Sequence, residues 1–181
     1  MKRKEAIIKI AELKISNLNK HERAGYLIGL WSIDKADEEF HSLPDALKKE
    51  MEENEEYGNP ANKKYNPLIL KALIYKFKGV RNEYIERVFN QLTNREVLVK
   101  EEIEKFESCP CCGYKTLEER NAWNICKVCY WEDDGIEDLD VRSGPNRMTL
   151  RKAKENYKEF GACEKRFIQH TEKEPDLKFE K

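Results

Sequence analysis

The chain has 181 residues, of which 39% are hydrophobic and 10% are aromatic. This composition can form a core, so it excludes a disordered chain, and the length fits one domain or two small ones. The 34 basic and 35 acidic residues give a formal net charge of only -1, which excludes a general electrostatic attraction to nucleic acid or anionic lipid.

Charged residues interrupt every segment that could enter a membrane. Glu5 and Lys9 break the apolar stretch that a secretory signal would need. The most apolar run, residues 67–75, contains Lys71 and is far shorter than the roughly 20 residues that span a bilayer. We therefore expect a cytoplasmic protein without a membrane segment. Because the cytosol keeps thiols reduced, its cysteines are expected to be metal ligands or free thiols.

The sequence of residues 1–105 predicts a helical domain. Ile8, Ala11, Ile15 and Leu18 recur at spacings of three and four residues, and Ile7 widens this stripe. Such spacing is typical of an amphipathic helix that buries one face.

Two more helices follow before a loop. One runs through residues 26–31, and a short, charged surface helix is predicted over residues 45–54. Glycine, asparagine and proline then mark residues 52–64 as the main loop. We expect this loop to contribute nothing to the core.

The clearest helix begins at Asn66-Pro67, because asparagine is a good N-cap and proline is favoured at the first helical position. It is apolar on most sides, which predicts a central helix ending near Gly79. A second helix from Asn82 to Leu92 completes a helix-turn-helix shape. The alternation over residues 95–100 predicts a short strand.

A helix-turn-helix raises the alternative of a nucleic-acid-binding regulator. The second helix, however, carries Glu83 and Glu86 in its first turns, where they would repel phosphate. The sequence therefore favours a packed helical hairpin over a DNA-binding element.

All six cysteines lie between Cys109 and Cys163. Cys109 and Cys112 form one Cys-x-x-Cys pair, and Cys126 and Cys129 form another after 13 intervening residues. Two such turns can supply four thiolates to one tetrahedral ion. Zinc is the predicted metal, and iron in a rubredoxin-like site is its main rival. A site closed by four thiolates has no position for water, which indicates a structural rather than a catalytic metal.

The two remaining cysteines are predicted to be packed in the module. Cys111 lies between two predicted ligands, and Cys163 follows a helix predicted over residues 150–160. The alternative is that Cys111 is a reactive thiol, which would make the protein a thiol-dependent enzyme.

An acidic block begins at Trp131-Glu132-Asp133-Asp134, and a basic block follows over residues 142–154. We expect a solvated turn whose carboxylates pair with the basic block. One alternative is a site for a hard cation such as magnesium or calcium, although no calcium-loop spacing is present, and the other is a surface that binds a cationic partner.

Several ordered motifs resemble the bacterial cysteine-rich CPCC family. They are Cys-Pro-Cys-Cys-Gly-Tyr-Lys-Thr-Leu at 109–117, Ile-Cys-Lys-Val-Cys-Tyr-Trp-Glu-Asp-Asp-Gly at 125–135 and Ser-Gly-Pro-Asn at 143–146. The resemblance covers about residues 108–170 and implies a small zinc-ribbon-like domain. It also implies that some relatives are partners or immunity proteins of toxin systems. It assigns Cys109, Cys112, Cys126 and Cys129 as ligands, and Trp131, Glu132, Asp133, Asp134 and Asn146 as signature positions.

The sequence thus predicts a mainly α N-terminal domain over residues 1–105 and a small α+β zinc-ribbon-like module over residues 106–181, whose last helix packs back on that domain. The predicted function is a cytoplasmic zinc-binding interaction protein of the immunity or antitoxin type. Its partner would be a protein such as a toxin, bound through residues 131–134. We expect no enzyme, because the three histidines are dispersed and no phosphate loop or serine elbow is present.

Overall fold

The computed structural model describes all 181 residues and is mainly α-helical, with one two-stranded antiparallel sheet, as predicted. None of its helices combines the length and the apolar character needed to cross a membrane. The chain forms two compact units, residues 1–78 with 85–101 and residues 79–84 with 102–181. The α-helices are α1 (Arg3–Ile15), α2 (Lys20–Leu30), α3 (Glu38–His41), α4 (Asp45–Glu53), α5 (Asn66–Tyr75), α6 (Asn82–Thr93), α7 (Leu150–Phe160) and α8 (Pro175–Lys178).

Helix α5 is central in the first unit, as its apolar sequence predicted. It packs against α1 and α2, and Leu68, Ile69 and Leu73 are buried. Its first turn differs by one residue from the prediction, because a 3-10 turn at residues 63–65 leads into it and makes Tyr65 the N-cap.

Helix α1 is present, and the face predicted for it is confirmed in part. Ile7 and Ala11 are buried and half-buried Ile15 packs against the core, whereas Ile8 is half-buried and lies outside that core. The buried residues are Arg3, Ala6, Ile7, Ile10 and Ala11. Consecutive apolar residues at positions 7 and 8 allow two neighbouring stripes, and the packing partner selects the one that contains Ile7.

The loop over residues 52–64 does contribute to the core, contrary to expectation. Tyr57 packs edge-on against Trp31, with ring centroids 5.8 Å apart. Buried Arg23 donates hydrogen bonds to the carbonyl oxygens of Pro60 (2.6 Å) and Asn62 (3.0 Å). Arg23 and Trp31, which are distant in sequence, therefore hold this loop against the rest of the first unit.

The strand predicted over residues 95–100 does not form. Its amides have other partners: those of Val97 and Val99 donate to side chains of α6, Oδ1 of Asn90 at 3.1 Å and Oε1 of Glu86 at 2.7 Å. The amide of Lys100 donates to the carbonyl of Met1 at 3.3 Å. Alternating burial thus arises here from an extended segment without a strand partner.

The second unit is built from short hairpins followed by a helix. Strand β1 (Glu107–Ser108) pairs antiparallel with β2 (Lys115–Leu117). Isolated bridges join Ile125 to Glu132 and Arg142 to Thr149. The predicted α7 follows, capped by the side chain of Thr149 and ended by Gly161 at φ 80°.

The last residues of the chain belong to the second unit. Phe179 is buried, the amide of Lys115 in β2 donates to the carbonyl of Glu180 at 2.8 Å, and that of Arg81 donates to Lys178 at 2.7 Å. The sequence pattern did not predict this tail, because a single aromatic residue among charges has no periodicity.

Candidate metal centre

The first Cys-x-x-Cys pair forms a tight turn between β1 and β2. The amide of Gly113 donates to the carbonyl of Cys109 at 2.9 Å, and the amide of Cys109 donates to the carbonyl of Tyr114 at 2.9 Å. Gly113 has φ 84°, in the left-handed region where glycine avoids Cβ strain. These bonds fix the direction of Cys109 and Cys112.

The second pair repeats this backbone geometry. Tyr130 donates to the carbonyl of Cys126 at 2.8 Å, and Cys126 donates to the carbonyl of Trp131 at 2.8 Å. Tyr130 occupies the left-handed position with φ 67°, and its ring packs at 4.5 Å from that of Phe167. Packing of the tyrosine thus accompanies a backbone conformation that a non-glycine residue adopts at some strain.

The two turns bring the four predicted ligands together. All four Sγ atoms lie within 4.8 Å of one another. The Sγ atoms of Cys109 and Cys129 are 3.6 Å apart, and those of Cys112 and Cys126 are 3.5 Å apart. A tetrahedral ion with Zn–S bonds of about 2.3 Å would place its sulfurs about 3.8 Å apart. The donor set and its spacing therefore fit a metal ion bound by four thiolates.

The thiols of this buried cluster do not ionise equally easily. Burial opposes ionisation of Cys126, yet hydrogen bonds from the other three thiols and from Thr116, whose Oγ1 lies 2.9 Å from Sγ, hold its pKa well below the usual value. Burial and the surrounding thiols raise the pKa of Cys129. The cluster thus favours a thiolate at Cys126 over one at Cys129, and a divalent cation would displace protons from the thiols that bind it.

Neither additional cysteine belongs to the four-cysteine cluster. All six cysteines are free, and both Cys111 and Cys163 are buried. Burial raises the pKa of the Cys163 thiol to about 12. Asn156, buried in α7, donates to the carbonyl of Cys163 at 2.7 Å. The apolar pattern of the sequence does not mark polar Asn156, although its position three residues after Ala153 places it on the buried side of the helix.

The residues predicted to bind a partner are largely internal. Trp131 and Asp133 are fully buried, whereas Glu132 and Asp134 are half-buried. Oδ2 of Asp133 accepts hydrogen bonds from Nε of Arg120 at 2.8 Å and from the amide of Asn121 at 2.9 Å. This carboxylate therefore supports the fold, and nothing in the sequence marked Arg120 as its partner.

The Ser-Gly-Pro-Asn motif packs against the acidic motif. Ser143 donates to Oδ2 of Asp134 at 2.8 Å, and Asn146 donates to Oγ of Ser143 at 2.7 Å. Farther along, Arg151 makes two hydrogen bonds with the carboxylate of Asp140, at 2.7 and 2.8 Å. The predicted pairing of the acidic and basic blocks is therefore observed at this pair.

Comparison with known proteins finds a match within the second unit alone. A family model described as Cysteine-rich CPCC matches residues 107–177, in agreement with the resemblance seen in the sequence. No similar protein was found among the curated proteins, and no similar chain among the solved structures. Residues 1–106 lie outside the matched segment.

Proposed function

We propose that the second unit binds one zinc ion through Cys109, Cys112, Cys126 and Cys129. The observation that carries this proposal is the convergence of four Sγ atoms at spacings close to those of a tetrahedral thiolate site. Bound zinc would cross-link the two turns and would leave no ligand position for a substrate. Its role is structural.

Groups near the four cysteines favour the binding of zinc. The backbone of each turn orients its cysteines before a metal binds, and Oγ1 of Thr116 lies 2.9 Å from the sulfur of Cys126, within reach for its hydroxyl to donate to a thiolate there. The helices of the first unit have an apolar core of their own. Because the sheet of the second unit contains only short strands, we expect the metal to contribute more to the stability of this unit than to that of the first.

We further propose that the protein is a non-enzymatic, cytoplasmic interaction protein of the immunity type, which blocks a protein partner by occupying its surface. A closed metal site and the burial of Cys111 support a binding role over metal-dependent or thiol-dependent catalysis. The resemblance of the second unit to the CPCC family supports the immunity class.

Elemental analysis of the purified full-length protein tests the metal. We expect about one zinc per chain, and a strong chelator should unfold the second unit before the first. A red protein that contains iron would assign the other metal. A metal-free protein with a fully ordered second unit would overturn the proposal.

Co-expression with the protein encoded beside it tests the interaction role. We expect the two proteins to purify as a complex and the partner to lose its toxicity. A chain that purifies alone, binds nucleic acid and releases it steeply as salt rises would instead be a nucleic-acid-binding regulator.

A further inference from the structure

A groove of about 570 Å³ lies between α2 and α5 in the first unit, apart from the metal centre. Its walls are mostly apolar, with Tyr26, Leu30, Ile33, Ala72 and Ile74 among the residues that line it. Its volume is within the range of ligand and peptide sites. Tyr75, a residue that is 48% exposed, also lines it.

The α2 side of the groove is formed by Gly25 and Gly29, which lie one helical turn apart and are exposed. A Cβ atom at either position would meet nothing within 4 Å. Glycine in a helix interior costs about 1 kcal/mol relative to alanine. No neighbouring group of the chain uses the space that these glycines leave, so the exposed backbone of α2 is open to the close approach of another molecule.

The rim of the groove is cationic. Lys71, Lys76 and Lys78 line it, opposed by a single carboxylate, Glu39. The Nζ of Lys76 lies 4.8 Å from the ring centroid of Tyr26, a cation–π contact that holds the charge at the edge of the apolar surface. A local excess of positive charge contrasts with the formal net charge of -1 for the whole chain.

We propose that this groove binds an acidic amphipathic helix of a partner protein. Apolar side chains of such a helix would fill the groove, its backbone would approach α2 at Gly25 and Gly29, and its carboxylates would face the lysines on the rim. This inference rests on the proposed interaction role, for which it names the docking surface and the chemistry of the partner.

A designed peptide tests the groove with the full-length, zinc-loaded protein. The probe is a fluorescein-labelled helical peptide of about 20 residues, with leucine at every third and fourth position and glutamate on the opposite face. Fluorescence anisotropy should show saturable binding. A peptide with lysine in place of every glutamate should not bind.

Two pairs of variants locate the binding. Gly29→Leu fills the groove and should weaken binding at least about tenfold while leaving thermal stability equal or higher, because leucine favours a helix and its Cβ atom meets no neighbour within 4 Å. His21→Leu adds the same side chain to an exposed position of α2 outside the groove and should not alter binding. Lys71→Glu should weaken binding, whereas Lys20→Glu, the same charge change outside the groove, should not.

Equal binding of the acidic and basic peptides, or an unchanged affinity in Gly29→Leu, would overturn the groove proposal. Saturable binding of dodecanoate without binding of the acidic peptide would assign the groove to a lipid carboxylate and would also overturn it. Zinc content and complex formation with the co-expressed neighbour are measured on the same variants. A neighbour that still binds Gly29→Leu fully would reject the groove and keep the interaction role, whereas a wild-type chain that binds no neighbour would reject that role itself.

Discussion

The side chain of Asn146 satisfies both backbone polar groups of Glu132. Its Oδ1 accepts a hydrogen bond from the Glu132 amide at 3.0 Å, and its Nδ2 donates to the Glu132 carbonyl at 2.8 Å. The side chain of Asn146 thus makes the two hydrogen bonds that the backbone of a neighbouring strand would otherwise make with Glu132. It holds the acidic motif in place directly after the second cysteine turn.

Asn146→Asp should destabilise the second unit by about 2 kcal/mol. The aspartate keeps an acceptor for the Glu132 amide but loses the donor, so the Glu132 carbonyl is left facing a carboxylate oxygen. Thermal unfolding of the zinc-loaded protein measures the loss, and hydrogen exchange at the Glu132 amide locates it. Asn59→Asp is the matched control, because exposed Asn59 only accepts from the Ala61 amide, which aspartate also does. Equal stability of the two variants would contradict this role of Asn146.

Two left-handed glycines should respond differently to alanine. Gly161 has φ 80° and open space around an added Cβ, so Gly161→Ala should cost about 1–2 kcal/mol of unfolding free energy from backbone strain alone. At Gly135, with φ 83°, a Cβ would lie 2.6 Å from Oδ1 and 3.2 Å from Cβ of Asn121.

Gly135→Ala should therefore cost about 2–4 kcal/mol, because displacement of Asn121 adds to the backbone strain. Chemical denaturation of both zinc-loaded variants gives the comparison. A Gly161→Ala variant as unstable as Gly135→Ala would show that the contact with Asn121 contributes nothing.

Cys126→Ser should abolish zinc binding. The sulfur of Cys126 lies 2.9 Å from Oγ1 of Thr116 and 3.5 Å from the sulfur of Cys112, so its removal opens one corner of the site. Zinc should fall from about one per chain to near zero, and the second unit should lose its cooperative unfolding. Cys163→Ser, also buried but outside the cluster, should retain zinc, and so should Cys111→Ser. Full zinc content in Cys126→Ser would contradict the four-thiolate assignment.

The parts of the fold that the sequence predicted depend on local patterns. Two Cys-x-x-Cys turns place their sulfurs together because each turn is closed by its own backbone hydrogen bonds. Helix α5 was predictable from its proline start and its continuous apolar character.

The missed features depend on distant partners. Nothing near Arg23 indicates that it will bond to the carbonyls of Pro60 and Asn62, and nothing near Val99 indicates that its amide will be taken by Glu86. Asp133 is likewise buried with a distant partner, because its carboxylate accepts a hydrogen bond from Arg120, which lies 13 residues earlier in the chain. The composition of this acidic run is typical of a surface and therefore predicts a partner-binding role, although the carboxylate of Asp133 at its centre is buried.

Glu50 should stabilise the first unit in a pH-dependent way. Although its partial burial favours the protonated form, hydrogen bonds from Lys64 and Tyr65 hold the pKa of Glu50 below its usual value of 4.5. Tyr65 donates to Oε1 at 2.6 Å and Lys64 lies 2.7 Å from Oε2. Because the folded-state pKa is lowered, this stabilisation is complete above the usual pKa and is lost as the pH falls through the folded-state value.

Glu50→Gln should therefore cost about 1 kcal/mol of unfolding free energy at neutral pH, since glutamine still accepts from Tyr65 but no longer pairs with Lys64 as a charge. The difference from wild type should shrink as the pH is lowered below 4.5. Urea denaturation from pH 7 to about pH 3, which passes through the range where this stabilisation is lost, measures it, and taking differences between variants removes the acid release of metal that both proteins share. Glu53→Gln, on the same helix and paired with Lys49 only at 3.7 Å on the surface, should show a smaller change. A Glu50→Gln deficit that is constant with pH would mean that the charge of Glu50 does not stabilise the fold.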